Sequence, residues 1–246
     1  MTRYLRLWAA FFRNCITREM EYRGHFFMQF MIDIAWYGVQ LALFEVIYLN
    51  TSNVAGFTRP EVIVFLGSLF VIDALNMIFF SQNFWMFPRL IAKGDLDFYL
   101  IKPVSVVFMS FTRFPNIASW LNLVVGVSVL VYGLMEAHIT LTAGSLSLFL
   151  LLAVCGNIIM LSLQILVASI AIFLVQADGI QMLFHTVYQF ATRPDAIYSQ
   201  MFRRVLLYIV PLALIASVPS QALLGRLSLE MAVWNIVAAG LLFTVE

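Results

Sequence analysis

The sequence predicts an all-α integral membrane protein, and three observations support that fold class. Hydrophobic residues make up 63% of the chain and charged residues only 11%, whereas about 25% of residues are charged in an ordinary soluble domain. Several apolar stretches reach the length of about 20 residues that a helix needs to cross a bilayer. The charges collect between those stretches. A soluble core does not cover this much apolar surface, so we expect lipid to cover it.

The composition also argues against several other classes of protein. A net charge of +1 provides no basic face for nucleic acid. Cys15 and Cys155 lie far apart, so neither a disulfide framework nor a metal cluster is indicated. The chain lacks the G-x-x-x-x-G-K-S/T loop that holds ATP phosphates, and it lacks the H-E-x-x-H and G-x-S-x-G motifs of common hydrolases. We therefore expect no catalytic residue, no metal and no cofactor in this chain.

Residues 1–25 are predicted to form an amphipathic helix that lies in the membrane interface. At about 100° per residue, Arg3 and Arg13 fall on one side of that helix, opposite Trp8 and Phe12. Arginines directed at headgroups and aromatic rings directed at acyl chains are typical of an interfacial helix; a solvated helix beside the membrane is the alternative. The segment lacks the apolar core of a cleavable signal peptide. Its five arginines predict a cytoplasmic N-terminus.

A membrane domain is predicted to cover residues 26–246, with four apolar spans in its first part and one at its end. Turn-forming residues between positions 50 and 60, and the absence of Lys and Arg between positions 136 and 144, are typical of external loops. We expect a basic cytoplasmic tail to follow the final span. The predicted spans lie at residues 26–49, 61–82, 105–133, 145–175 and 229–245.

The stretch between the fourth and the final span has two interpretations. In the first, residues 177–204 are cytoplasmic and residues 205–224 form the fifth span, which three arginines favour under the positive-inside rule. In the second, residues 177–192 form the fifth span, and residues 196–224 form a pair of short helices that re-enter the membrane from outside, which two helix-breaking prolines favour. The arginines are Arg193, Arg203 and Arg204, and the prolines are Pro211 and Pro219.

Residues 83–104 are the longest polar interruption of the apolar sequence. An unpaired charge in hydrocarbon costs about 2.5–3.5 kcal/mol, so this segment must lie in water or against another protein. If the N-terminus is cytoplasmic and the spans alternate, the segment is cytoplasmic as well. The charges within it are Arg89, Lys93, Asp95, Asp97 and Lys102.

Two acidic residues, Asp33 and Asp73, lie inside the first and second predicted spans, and Glu45 lies near the outer end of the first. Ionisable residues within a membrane are costly and usually face a bundle interior or a watery path. Asp33 and Asp73 are therefore candidates for a translocation path, although hydrogen bonds between helices explain them equally well. Five amides are predicted to make such interhelical bonds: Asn116, Asn122, Asn157, Gln164 and Asn235.

Three stretches of the chain, taken in order, are similar to segments of one transporter family. Residues 90–104 contain the pattern G-x-L-D-x-x-L-x-x-P, and residues 175–179 resemble a polar turn between spans four and five. Residues 194–226 resemble a block that reads P-x-x-I-Y, then Y-I-I-P, then P-x-x-x-L-L-G-R. On these residues the chain resembles the membrane subunit of the type-2 ABC exporters, a family of six-span permeases that work with a separate ATPase.

The resemblance implies a topology and a coupling segment. Family members carry an interfacial helix before span one and re-entrant external helices between spans five and six. This favours the second interpretation of residues 177–224, and it places the three arginines outside, against the charge rule. Residues 83–104 would be the coupling segment that docks on the ATPase, bounded by prolines, with Gly94 permitting a turn in which a side chain would clash. The implied coupling residues are Pro88, Arg89, Lys93, Gly94, Asp95, Asp97, Phe98, Tyr99, Leu100 and Pro103.

The resemblance also implies the partners of the chain. They are an ABC ATPase that binds ATP and Mg, a second copy of the permease or a related sister permease, and membrane lipid, in a bacterial inner membrane. The implied function is that of an exporter permease whose cargo the sequence does not name. The alternative is a non-transporting membrane scaffold whose residues 83–104 recruit a soluble partner.

Overall fold

The computed structural model describes residues 2–21, 23–173 and 178–244, and no strand occurs in this part of the chain. The all-α prediction is therefore confirmed. The α-helices are α1 (Thr2–Glu21), α2 (Arg23–Tyr48), α3 (Arg59–Asn76), α4 (Gln82–Ala92), α5 (Asp97–Leu100), α6 (Val106–Thr112), α7 (Ser119–Glu136), α8 (Ala143–Ala171), α9 (Asp178–Tyr188), α10 (Gln200–Arg204), α11 (Ala213–Leu223) and α12 (Leu229–Thr244). Turns of other helical types occur at Met77–Ser81, Gln189–Thr192, Asp195–Ile197 and Val205–Ile209.

Four helical segments are long and apolar enough to cross a membrane, and a bent pair of helices raises the number to five if the pair counts as one span. The pair consists of Gln200–Ile209 and Ala213–Leu223, which meet at 102°. The apolar helix α12 has only 16 residues. The described residues thus indicate a multi-pass membrane protein, and they do not confirm six spans. The four segments are Phe26–Tyr48, Arg59–Ala92, Ser119–Glu136 and Ala143–Ala171.

The second membrane helix is longer than the sequence predicts. α3 passes through a π-turn directly into α4, so that one helix of 34 residues runs from Arg59 to Ala92. We call it the long helix; at 1.5 Å per residue it measures about 50 Å. The helix continues past residue 82, where the sequence predicts the end of the span, because α4 keeps a buried apolar side, with Phe84 and Phe87 in the core. Its polar residues therefore do not end the helix.

The third predicted span starts later than expected. The sequence predicts one helix over residues 105–133, whereas the structure has α6, a break at residues 113–118, and then α7. Pro115 lies in the break, where it lacks an N–H and restricts the residue before it. The backbone N–H of Asn116 donates to Ile78 O (3.0 Å), which holds the break against the long helix.

The predicted fifth span, residues 177–192, contains α9 and a 3-10 turn. Within the described residues, α9 has 11 residues, or about 16 Å of helix, which is about half the hydrocarbon thickness of a bilayer. Arg193 has an extended backbone (φ −124°, ψ 147°), and Pro194 follows it, so the helix ends there. The predicted polar turn at residues 175–179 falls mostly outside the described residues.

The long helix is the centre of the bundle, and it packs against α2, α7, α8 and α11. Small residues let its backbone meet that of α7. A Cβ added at Gly67 would lie 2.4 Å from Leu130 Cα, and one added at Gly133 would lie 2.8 Å from Val64 N. Such close packing holds helices together in lipid, where burial of apolar surface gives little driving force.

Ion pairs cluster at the end of the bundle where the long helix begins. Arg59 bonds the carboxylate of Glu45 (2.8–3.1 Å) and also pairs with Glu136. Arg226 pairs with Glu61 (2.6 Å). These contacts join the ends of α2, α7 and α11 to the start of α3. We call this the ion-paired end, and we call the end where α4 finishes the α4 end.

Candidate functional site

The turn after α4 is a Schellman cap built on Gly94. The Gly94 N–H donates to Ile91 O (2.9 Å) and the Asp95 N–H donates to Leu90 O (3.0 Å), the two bonds that define this cap. Gly94 has φ +72°, a left-handed conformation that costs other residues about 1–2 kcal/mol. A Cβ at Gly94 would meet no atom within 4 Å, so the predicted clash is wrong. The turn needs glycine for its backbone angle rather than for space.

After this turn, the predicted coupling residues of α5 differ in burial. Tyr99 is buried, and its hydroxyl accepts a hydrogen bond from Arg113, whose guanidinium carbon lies 5.2 Å from the centre of the Tyr99 ring. Lys102 Nζ lies 5.6 Å from the centre of the same ring. Phe98 and Leu100 are each 61% exposed. Tyr99 therefore anchors the segment, and Phe98 and Leu100 are open to a partner.

Most of the predicted coupling residues are exposed at the α4 end, but Pro88 is buried inside α4 rather than at the boundary of the segment. A proline leaves the carbonyl four residues earlier without its helical donor. That carbonyl, Phe84 O, accepts from Gln181 Nε2 of α9. The helix continues because α9 supplies the bond that Pro88 lacks. The exposed coupling residues are Arg89, Lys93, Gly94, Asp95, Asp97, Phe98, Leu100 and Pro103.

α1 packs its aromatic side against the α4 half of the bundle. The ring of Trp8 lies 5.9 Å from that of Phe79 in the long helix, and Tyr4 meets Phe108 of α6 edge to face at 4.9 Å. Cys15 is buried, and this burial raises the pKa of its thiol. Part of the side that we expect to face acyl chains therefore faces protein. The orientation of α1 in a membrane stays a prediction.

A cavity of about 230 Å³ lies among α2, the long helix, α8 and α9. Both acids predicted for a translocation path, Asp33 and Asp73, line it. Asp33 Oδ2 accepts from Asn122 Nδ2 (2.6 Å), and Asp73 Oδ1 accepts from Tyr188 Oη (3.3 Å). Each acid thus makes a hydrogen bond between helices and also lines the cavity. A structural role between helices is therefore compatible with a role in a translocation path.

The cavity also holds polar atoms that lack partners. Gln164 Nε2 donates to Asn76 Oδ1 (3.1 Å), whereas Asn76 Nδ2 and Gln164 Oε1 are buried and bond no other described atom. Sequence reasoning missed Asn76 and Tyr188 as cavity residues, because spacing along a chain does not show which helices meet. The aromatic walls are Trp36, Tyr37, Phe84, Trp85, Phe184 and Tyr188.

Three of the five amides predicted to bond between helices do so. Asn122 bonds Asp33 and Gln164 bonds a residue of the long helix, and Asn235 bonds α11. Asn157 instead donates to a carbonyl of its own helix (3.1 Å), so the prediction for Asn157 is wrong. The fifth residue, Asn116, bonds the long helix through its backbone N–H and not through its side-chain amide.

The bend in the helix pair lies at Pro211, one of the two predicted breaks. Val210 has a non-helical backbone (φ −117°, ψ 89°), and the proline after it cannot donate to the preceding turn. Pro219, the other predicted break, lies inside α11, which continues past it. The carbonyl that Pro219 frees, Ile215 O, would lie 2.6 Å from a Cβ at Gly156. α8 therefore packs directly over that carbonyl.

α12 holds both limbs of the bend. Trp234 Nε1 donates to Leu207 O on the first limb (2.9 Å), and Asn235 Nδ2 donates to Leu214 O on the second (2.7 Å). Leu207 lies in the last turn of the first limb, so Trp234 supplies a donor to a helix-terminal carbonyl that has no partner within its own helix. Two adjacent residues of one helix thereby fix the angle of the pair.

Asp195 fastens the loop before the bend to α11. It is only 2% exposed, and its carboxylate accepts from Arg203 Nε (2.6 Å), Gln221 Nε2 (3.3 Å) and Ser217 Oγ. Arg203 is one of the three arginines that a re-entrant pair would place outside. Because its charge is paired with a buried carboxylate, this arginine adds little net positive charge to the loop.

A comparison with protein-family models finds a match over most of the chain. The model described as "ABC-2 family transporter protein" matches residues 34–246. The matched range contains residues 83–104, the bent helix pair and the cavity residues from Trp36 onward. α1 and the first part of α2, which includes Asp33, lie before it. No curated protein and no solved structure gives a significant match.

Proposed function

Because the chain belongs to the ABC-2 family of transporter proteins, we propose that it is the permease subunit of an ATP-driven exporter in a bacterial inner membrane. Two permease chains, either two copies of this one or this one and a sister, form the translocation path. A separate ATPase subunit binds ATP and Mg. The observation that carries the proposal is the family match over residues 34–246.

Residues 83–104 serve in this proposal as the contact with the ATPase. Phe98, Leu100 and Ile101 are exposed apolar residues, and the exposed carboxylate of Asp97 lies beside them in the sequence. Large apolar side chains with charged neighbours suit a protein partner, because interfaces place an apolar core within a polar rim. This surface supports the proposed docking role.

The long helix carries motion from the ATPase to the cavity in this mechanism. The coupling segment follows its α4 end directly, and the Tyr99–Arg113 contact ties α5 to the break before α7. Asp73 and Asn76 lie on the same helix, about 30 Å from Gly94. A displacement of α5 therefore moves one wall of the cavity relative to α8 and α9.

The proposed topology places the N-terminus and the α4 end in the cytoplasm and the ion-paired end outside. α9 and the turn after it serve as the fifth span, residues 196–224 as a re-entrant pair, and α12 as the sixth span. The 102° bend and its two bonds to α12 support a fixed re-entrant pair. The Arg203–Asp195 ion pair lowers the cost of an external arginine under the charge rule.

Affinity purification of the tagged chain in mild detergent tests the proposal. The chain should bring with it, in roughly equal amount, a protein with a phosphate-binding loop, and the complex should hydrolyse ATP. Gly94→Val should abolish recovery of the ATPase while membrane insertion is retained, because valine adopts φ +72° only under strain. Gly240→Ala is the matched control, since a Cβ at this helical position meets no atom within 4 Å.

Two other results would change the proposal. Equal recovery of the ATPase with Gly94→Val and with the wild type would contradict the coupling role of residues 83–104. Recovery of the chain without any nucleotide-binding protein would contradict the exporter function and leave the scaffold. A sister permease in the same sample would make the transporter a heterodimer.

A further inference from the structure

The cavity contains two carboxyl groups that have no cationic side chain of the protein beside them. Asp33, Asp73 and His185 line it, and no Lys, Arg or His of the described residues lies within ion-pair distance of either carboxyl group. Each accepts a hydrogen bond from one neutral donor. Charged groups removed from water need an opposite charge or several hydrogen bonds to be stable. The cavity is therefore suited to a positive charge that a ligand brings.

The walls of the cavity decide which kind of cation fits. A metal ion needs several close oxygen, nitrogen or sulfur ligands, and the described residues contain no group of three His, Cys, Asp or Glu that could hold one. Aromatic rings attract organic cations to their faces. Six aromatic residues line the cavity together with the two acids, so the walls favour an organic cation over a metal ion.

Two buried amide atoms give an independent indication of a ligand. Asn76 Nδ2 and Gln164 Oε1 belong to side chains that are 3% and 2% exposed, and neither atom has a partner in the described part of the chain. Buried polar atoms in native proteins normally have one. A hydroxyl or amide group on the ligand would accept from Asn76 and donate to Gln164.

We infer that this cavity binds the cargo of the permease, and that the cargo is a small organic cation with an apolar body and a hydroxyl or amide group. Its positive charge lies against Asp33 and Asp73, its apolar body lies against the aromatic walls, and its polar group bonds the two amides. The inference rests on the proposed function, because it names the substrate class of that transporter.

Binding of phenyltrimethylammonium to the purified chain in lipid nanodiscs, measured by titration calorimetry, tests the inference. The wild type should bind this cation, and the double variant Asp33→Asn/Asp73→Asn should bind it at least tenfold more weakly. Benzenesulfonate, an anion of similar size, should bind neither protein. Glu230→Gln removes an exposed acid that does not line the cavity, and it should bind the cation as the wild type does.

A second pair of variants keeps the test decisive if the double variant does not fold. Trp36→Leu and Trp85→Leu leave both carboxyl groups in place but remove aromatic walls, and each should weaken cation binding severalfold. No binding by the wild type would overturn the inference, and so would equal binding by the wild type and the folded variants.

Copurification of the ATPase, scored on the same preparations, separates the two proposals. Absence of cation binding from a chain that brings its ATPase overturns the cargo class and leaves the exporter function intact. Absence of any ATPase from a chain that binds the cation overturns the exporter function, and with it the role of the ligand as cargo.

Discussion

Backbone carbonyls that lack a helical donor are bonded by side chains of neighbouring helices. Pro88 frees a carbonyl of α4 that Gln181 bonds, and Leu207 O, at the end of the helix before Pro211, accepts from Trp234. A freed carbonyl at the surface of a soluble protein would bond water, whereas in lipid each unsatisfied backbone group costs several kcal/mol. The side chains of Gln181 and Trp234 are therefore part of the backbone hydrogen bonding of other helices.

Replacement of Trp234 by Phe tests this dependence, because it keeps an aromatic ring and removes the Nε1–H that bonds Leu207 O. We expect the free energy of unfolding to fall by about 1–3 kcal/mol, the cost of leaving a buried acceptor without a donor. Thermal unfolding in detergent measures the change. Trp120→Phe, at a position that is 43% exposed, is the control, and equal destabilisation by both variants would contradict the prediction.

The contribution of the Asp195–Arg203 ion pair to stability can be measured directly. Asp195 is buried, but the side chain of Arg203 is 41% exposed, so solvent screens part of their attraction. We expect a coupling free energy of about 1–2 kcal/mol, between the values of exposed and buried pairs. A double-mutant cycle of Asp195→Asn and Arg203→Gln, read by thermal unfolding, measures it. Additive effects of the two substitutions would show that the pair does not fasten the loop.

At the scale of helices, the close contact between the long helix and α7 depends on three glycines, Gly67, Gly126 and Gly133. Gly133→Ala would place a Cβ 2.8 Å from Val64 N, so the two backbones must separate. We expect the free energy of unfolding to fall by about 1–3 kcal/mol, as overpacking does in well-packed cores. Gly24→Ala adds the same methyl group where no atom lies within 4 Å, and it should change the unfolding temperature little. A neutral Gly133→Ala would show that these helices are not in close contact.

Hydropathy located the membrane helices more accurately than it located their ends. The predictions at residues 26–49 and 145–175 lie within a few residues of Phe26–Tyr48 and Ala143–Ala171, because long and mostly apolar runs specify both helices. The extension of the long helix and the break at Pro115 differ from the predictions. Both depend on contacts with other helices, which hydropathy along the chain does not report.

The candidate site was predictable only in part, for the same reason. Asp33 and Asp73 could be chosen because acids within apolar runs are costly, but their common cavity could not, because they lie on separate helices. Tyr188, which bonds Asp73, lies in a stretch whose sequence allowed two topologies. The different burial of Phe98 and Tyr99 could not be predicted either, since α5 is too short to show a helical period.

At the scale of the whole molecule, the proposed function divides the α4 end into an anchor and an ATPase contact surface, and two adjacent substitutions test this division. Phe98→Ala should lower recovery of the ATPase several-fold and leave the unfolding temperature unchanged, because the ring is exposed and large aromatic side chains dominate binding energy. Tyr99→Ala should lower the unfolding temperature, because this ring is buried beneath Arg113 and Lys102. Pull-down and thermal unfolding of both variants measure the two effects. The assignment of Phe98 to the contact surface would be contradicted if Phe98→Ala lowered the unfolding temperature and still recovered the ATPase.

The length of the long helix determines how far the coupling segment stands from lipid. Its 34 residues measure about 50 Å, whereas a bilayer with its headgroups is about 40–45 Å thick. Even at the average tilt of about 20°, a helix that starts among the outer headgroups emerges beyond the inner ones. In the proposed topology, the Gly94 turn would then lie in water beyond the lipid headgroups. The proposed ATPase could dissociate from it and bind again without displacing lipid, so that the lifetime of the complex would depend on the protein contact alone.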